Sequence, residues 1–199
     1  MIGSAVAGLA RLVAGGSVEW TERPTPGPRV YFANHTSHLD FVLLWSYLPP
    51  HLRVRTRPVA ARDYWESSRL RRYLAGEVFR ALLIDRAGPE AREAVDRMAE
   101  CLSRGDSLIL FPEGTRGTGE EVAPFKTGLY HLSQAAPDLE LVPVAIENLN
   151  RILPKGEFLP VPMVSRVAFG PTLRLHAGES KDEFLARARA ALETLREAA

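Results

Sequence analysis

One cysteine, Cys101, stands in the whole chain of 199 residues, so no internal disulfide is available to hold the fold. A core must stabilise it instead, and 46% of the residues are apolar. Cys101 falls in a helical pattern and is expected to pack as a small hydrophobe, consistent with a reducing compartment. Charge of one sign is also lacking. Lys and Arg number 25 against 24 Asp and Glu, a formal net charge of +1, which excludes nucleic-acid binding by bulk electrostatics. No apolar run approaches the roughly 20 residues that span a bilayer. Met1 to Ala14 are mostly small and apolar with one cation, Arg11, and no charged leading segment, so a secretory signal is not expected. No Gly-x-Ser-x-Gly stretch is present, which argues against a serine hydrolase of the common α/β type. Repeats and low-complexity segments are absent too, and the balance of apolar and charged residues is that of one folded domain.

What is present is an alternation of strand-like and helix-like stretches. Ile2, Val6, Leu9 and Val13 recur at helical spacing. Such a helix either docks on the protein's own core or lies shallowly in a membrane surface. Val18-Glu19-Trp20 reads as a short strand, followed by a proline-rich connector with Pro24, Pro26 and Pro28. Residues 1–29 are therefore expected as an apolar helix and connector ahead of a main domain, 30–199. Val30 to Phe32 reads as a strand and Leu39 to Leu48 as a helix. His51 to Ala60 alternates as a strand, and Asp63 to Leu74 reads as a helix. Val78 to Ile84 reads as a helix end and strand. Pro89 to Arg104 is an amphipathic helix with proline at its start and Gly105 at its stop. Ser107 to Phe111 and Leu141 to Ile146 read as buried strands around a helix from Thr127 to Ala135. Arg151 to Pro162, with three prolines, reads as a loop. Val164 to Phe169 and Thr172 to Leu175 suggest a hairpin about Gly170-Pro171. Glu179 to Ala198 closes the chain as a helix, with Ser180 and Glu183 spaced as a capping box. The fold class expected is α/β, a single domain with a mixed, largely parallel sheet flanked by helices. Sites in such sheets gather beyond the carboxyl ends of strands.

At one such end stands Asn34-His35-Thr36-Ser37-His38-Leu39-Asp40. Two readings of it stay open. In one, Ser37 caps the helix, Asp40 sits near its positive end and His35 is a loop residue. In the other, the loop folds back so that Asp40 holds one imidazole nitrogen and the second faces substrate, the arrangement of a general base. His35 and His38 are also close enough in sequence to share a metal, but no third ligand has suitable spacing, and no metal or other cofactor is expected. Further along come Leu83-Ile84-Asp85-Arg86, Phe111-Pro112-Glu113-Gly114-Thr115-Arg116-Gly117 and Val142-Pro143-Val144-Ala145-Ile146. Gly114 and Gly117 permit close backbone approach to a ligand. Arg116 suits a bidentate phosphate clamp. Pro143 lacks an N–H and should mark a strand end or bulge.

Asn-His-(four)-Asp, Ile-Asp-Arg, Phe-Pro-Glu-Gly-Thr-Arg and Val-Pro-Val-Ala-Ile, in this order, resemble the four blocks of the glycerophosphate and lysophosphatidate acyltransferase family. The resemblance runs from about Tyr31 onward. It implies a glycerol-3-phosphate acyltransferase-like fold and transfer of a fatty acyl group from acyl-coenzyme A or acyl carrier protein to the free hydroxyl of 1-acylglycerol 3-phosphate. It also implies a cytoplasmic enzyme working peripherally at the inner face of the membrane. His35 is then the general base and Asp40 its orienting partner. The third block, with Glu113, Gly114, Thr115 and Arg116, is the acceptor side. Glu113 is expected to orient Arg116 or hold a glycerol hydroxyl, and Arg86 and Lys126 are further phosphate ligands. Members often have a glycine shortly before Ile-Asp-Arg, where this chain has Arg80-Ala81-Leu82. Another lysophospholipid or other hydroxyl or amine acceptor, or a non-catalytic lipid-binding role, are the alternatives. From Arg53 to Arg86 nine arginines stand against four acids. This stretch is either a solvated face or an attraction for lipid headgroups, coenzyme A phosphates or an acidic carrier protein.

Overall fold

The structure is a computed structural model and describes residues 2–37, 39–85, 90–148 and 165–198. Its elements in chain order are α1 (Ile2–Ala14), β1 (Ser17–Trp20), β2 (Arg29–Ala33), α2 (Asp40–Tyr47), α3 (Pro50–Arg53), β3 (Thr56–Ala61), α4 (Arg62–Trp65) and α5 (Arg69–Tyr73). A π turn (Leu74–Val78) leads to β4 (Leu82–Ile84), α6 (Glu90–Ser103), β5 (Ser107–Leu110), α7 (Gly128–Ala135), β6 (Glu140–Glu147), β7 (Arg166–Phe169) and α8 (Lys181–Glu197).

Seven strands form one sheet in the order β1-β7-β6-β2-β5-β3-β4. The β6, β2, β5, β3 and β4 neighbours pair in parallel, and β7 is antiparallel to β6. The mixed, largely parallel sheet expected from the sequence is thus present. β2 is its middle strand, and Val30, Tyr31, Phe32 and Ala33 are all fully buried, because both faces of a central parallel strand are covered. Tyr31 and Ala33 join a core with Phe41, Leu44, Trp45, Ile109 and Phe169. Val30 and Phe32 join the other, with Met98, Leu102, Leu129, Leu132, Phe184 and Leu192. Helices α1 and α2 and the π turn cover the first face, and α6, α7 and α8 the second.

The N-terminal helix docks by its small residues. Ala7 and Ala14 are buried, and a Cβ on Gly3 would lie 3.3 Å from the Trp45 ring of α2. Its larger residues Ile2, Leu9, Leu12 and Val13 remain exposed. β1 pairs with β7, which ties residues 17–20 to the sheet although they precede residue 30.

Several boundaries differ from the sequence reading. Alternation from His51 suggested strand, but Pro50 at the first helical position starts the short α3, and β3 begins only at Thr56. The helix expected over 63–74 is split. Ser67 Oγ donates to the Tyr64 carbonyl and Ser68 Oγ accepts from the Arg71 N–H, so the serines end α4 and cap α5. No hairpin forms at Gly170-Pro171. Leu173 makes an isolated bridge to Leu141, so the chain after β7 continues along β6. Pro143 explains the interruption: its carbonyl accepts from Gly170 N–H, but it has no N–H to return. The expected capping box of the last helix is present, Ser180 Oγ accepting from Glu183 N–H and the Glu183 carboxylate from Ser180 N–H. The loop expected over 151–162 lies outside the described residues.

Candidate active site

β2 ends at Ala33, and the loop after it is pinned by its own first residue. The buried Asn34 side chain accepts from the Ile146 N–H and donates to the Ile146 carbonyl, both at 2.8 Å. This two-bond stitch to β6 fixes where the next residue leaves the sheet. That residue is His35, and its ring stacks on Phe111 with centroids 4.2 Å apart and planes 21° from parallel.

Asp40 opens α2 and is fully buried. One oxygen, Oδ2, accepts from His35 Nδ1 at 2.8 Å, Thr36 N–H at 2.6 Å and Ser37 N–H at 2.8 Å. The contact of Asp40 with one imidazole nitrogen, as in the second of the two sequence readings, is therefore present. Ser37 is not the side-chain cap of α2. A carboxylate only accepts, so Nδ1 carries the proton, and in the neutral ring Nε2 holds the lone pair. Nε2 has no hydrogen-bond partner among the described residues, and a fifth of the His35 side chain is exposed.

His35 lines a cavity of about 850 Å³ beyond the carboxyl ends of β2, β3, β4 and β5. Polar groups of its wall include Tyr64, Asp85, Thr115, Arg116, Lys126 and His131, and apolar ones Phe41, Trp65, Ile84, Met98, Leu110 and Leu129. A second cavity of about 510 Å³, lined by Trp20, Arg29, Glu140 and His176, lies at the opposite end of β2 and β6.

The expected acceptor-side residues take different places. Thr115, Arg116 and Lys126 are exposed and line the cavity, and Arg116 makes no ion pair or hydrogen bond among the described residues. Gly114 has φ of +71°, and a Cβ there would lie 2.6 Å from the Lys126 stem, so this glycine seats Lys126 beside the loop as well as lining the cavity. Glu113 corrects the expectation that it orients Arg116. It is buried, with Oε1 accepting from His35 N–H at 2.7 Å and Oε2 from Ala123 N–H at 3.0 Å, and it makes no bond to Arg116. Part-buried backbone donors without other partners claim a carboxylate before an exposed guanidinium does. Arg86 and His38 lie outside the described residues. Among the described residues no three His, Cys, Asp or Glu side chains converge on a metal-sized site.

Three features were not read from the sequence. Arg62, at the end of β3, donates to Asp85 at 3.0 Å, to Glu66 at 3.1 Å and to the Leu83 carbonyl at 3.3 Å. The Asp85 bond, more than any other contact, raises its pKa. Its place after an alternating strand and 23 residues before Asp85 carries no local signal. Tyr64 and Trp65 supply an aromatic wall, visible in sequence only as helix residues. His131 stands one helical turn after Thr127, close behind Lys126, which was its only cue.

The scaffold is a largely parallel sheet with a carboxylate-held histidine in the wall of a mixed polar and apolar cavity. The chain belongs to the acyltransferase family: the family model described as Acyltransferase matches residues 18–147. It is 33% identical over 138 residues to 1-acyl-sn-glycerol-3-phosphate acyltransferase alpha of Ovis aries, covering 67% of this chain and 45% of the relative. It is 32% identical over 148 residues to 1-acyl-sn-glycerol-3-phosphate acyltransferase of Escherichia coli K12, covering 66% of this chain and 54% of the relative. The chain thus matches about half the length of these curated relatives. The crystal structure of the 1-acyl-sn-glycerophosphate acyltransferase of Thermotoga maritima superposes with a TM-score of 0.77 over 99% of this chain and 78% of that one, at 18% identity, a likeness of fold.

Proposed function

We propose that the protein transfers a fatty acyl group from an acyl thioester to the free hydroxyl of 1-acylglycerol 3-phosphate, making phosphatidate. The observation that carries this reading is the 2.8 Å contact of Asp40 Oδ2 with His35 Nδ1, which leaves Nε2 as the free base in the wall of the cavity. The acceptor oxygen attacks the thioester carbonyl carbon while its proton passes to Nε2. Asp40 stabilises the imidazolium so formed. The tetrahedral intermediate collapses, the C–S bond breaks, and the thiolate takes the proton back from Nε2. No acyl-enzyme is needed, because the nucleophile belongs to the acceptor. Arg116 and Lys126 bind the acceptor phosphate, with Arg86 as a third ligand in the same role, and the apolar wall takes acyl chain.

The donor is acyl-coenzyme A or an acyl carrier protein, and the acceptor is reached at a membrane surface. Support for membrane contact comes from α1, where Leu9 is 61% and Leu12 79% exposed. The contact is peripheral in this reading. No described helix is long and apolar enough to cross a membrane. The test supplies palmitoyl-coenzyme A, or palmitoyl carrier protein, with 1-acylglycerol 3-phosphate in vesicles and identifies the lipid product by mass spectrometry. Phosphatidate formed in step with thiol release is expected. Thiol release unchanged by the acceptor means hydrolysis and refutes the transfer.

A further inference from the structure

The Phe111–Gly117 block does more around His35 than line a cavity. It holds the peptide group on each side of the histidine. The Glu113 carboxylate accepts the His35 N–H at 2.7 Å, and the Gly117 N–H donates to the His35 carbonyl at 2.8 Å. The first residue of the block, Phe111, stacks on the imidazole. Asp40 fixes the ring from the far side of the loop. The second Glu113 oxygen accepts from Ala123 N–H at 3.0 Å, so one buried carboxylate joins the base loop to the segment that returns from the block. That segment is itself held by Arg196 of α8, whose guanidinium donates to the Gly119 carbonyl at 2.6 Å.

From this we infer that Glu113 is a positioning residue for His35 and not a ligand of the acceptor. Only 5% of it is exposed, and both of its oxygens already accept backbone N–H groups. The chemistry demands a carboxylate at this place. Two donors approach its two oxygens, and a primary amide offers only one acceptor and turns an N–H against the other donor. Glutamine would serve nearly as well if the role were to hold a glycerol hydroxyl, because a hydroxyl both donates and accepts. The block therefore divides its work: Glu113 and Gly117 set the backbone of the base, and Arg116, exposed and without a partner among the described residues, is left for the anion.

The test has a kinetic and a spectroscopic arm. In Glu113→Gln, kcat is expected to fall roughly 10- to 100-fold, the cost of a misplaced catalytic group, with the acceptor KM within about twofold of wild type. A raised acceptor KM with kcat retained would make Glu113 an acceptor ligand and overturn the inference. The His35 Nδ1–H proton resonance, sharp and downfield when bonded to Asp40, is expected to broaden or move in the variant. An unchanged resonance overturns the inference as well. Gly117→Pro, which removes the other hydrogen bond and leaves Glu113 in place, is expected to show the same split between kcat and KM. If neither variant folds, hydrogen exchange in wild type decides. The His35 amide, although in a loop, is expected to exchange about a hundredfold or more slower than a free amide, and exchange at the free rate overturns the clamp. The kinetic arm rests on the acyl-transfer reading, whereas resonance and exchange do not. A wild type that transfers no acyl group, yet protects the His35 amide, counts against that reading alone.

Discussion

Replacing Asp40 by asparagine separates its charge from its geometry. The amide oxygen can take the place of Oδ2 and keep the three donors, His35 Nδ1 and the Thr36 and Ser37 N–H groups. The amide nitrogen then falls where Oδ1 has no partner among the described residues, so folding should change little. What is lost is the negative charge facing the imidazolium. Two unit charges about 4 Å apart at an effective dielectric of about 20 interact by about 4 kcal/mol. At 1.36 kcal/mol per factor of ten, kcat should fall roughly 1000-fold. Thiol release under saturating donor and acceptor reads kcat, and thermal melting shows whether the fold is kept. Asp40→Ala is the poorer probe, since it strands buried donors at about 1–3 kcal/mol each and confounds activity with stability. A folded Asp40→Asn protein within about tenfold of wild-type kcat would show that the charge takes no part in the chemistry.

Arg116→Ala should raise the KM for 1-acylglycerol 3-phosphate about 10- to 100-fold, the worth of a charged hydrogen bond, and leave an uncharged 1-acylglycerol unaffected; equal losses on both would remove its phosphate role. Leu9→Asp with Leu12→Asp should cut co-sedimentation with anionic vesicles by at least roughly tenfold, because each large apolar side chain contributes about 1.5–3 kcal/mol when buried, and unchanged binding would place the membrane contact elsewhere. Ser180→Ala removes the cap of α8 and should cost about 1 kcal/mol, lowering Tm by about 2–4 °C. Glu179, paired with Arg187 at 2.7 Å, has its pKa lowered from the ordinary 4.5 to about 2, first by that hydrogen bond. A lowered folded-state value means the unfolded chain binds the proton more readily, so this pair stabilises above about pH 4.5 and loses its effect as pH falls toward 2. Melting curves of wild type and Glu179→Gln should differ most near neutrality and converge toward pH 2.

Where local chemistry decides structure, the sequence was readable. Val30 to Phe32 followed by Asn-His-(four)-Asp announces a buried strand, a turn and a helix. The capping box at Ser180 is a three-residue rule, and the structure has it. Contacts between distant segments were less legible. That β7 lies between β6 and β1, antiparallel to the first and parallel to the second, depends on a long connection whose course no periodicity reports. The Thr172 to Leu175 stretch has strand composition but meets only the Leu141 position of β6, because Pro143 leaves a gap in the ladder. Within the site, the His35–Asp40 contact was one of two readings, and both follow from the same spacing. The contacts of Glu113 were not legible, for a physical reason. An acid beside an arginine suggests a salt bridge, yet the carboxylate was taken by backbone donors 78 residues before it and 10 after it, which no local pattern reveals.

The proposed mechanism turns on His35 as the base. The most direct measurement is acceptor-dependent thiol release by folded His35→Ala beside wild type, with 1-acylglycerol 3-phosphate present and absent. A loss of roughly 100- to 10,000-fold in the acceptor-dependent rate is the predicted result. Turnover close to wild type in the folded variant would contradict the mechanism.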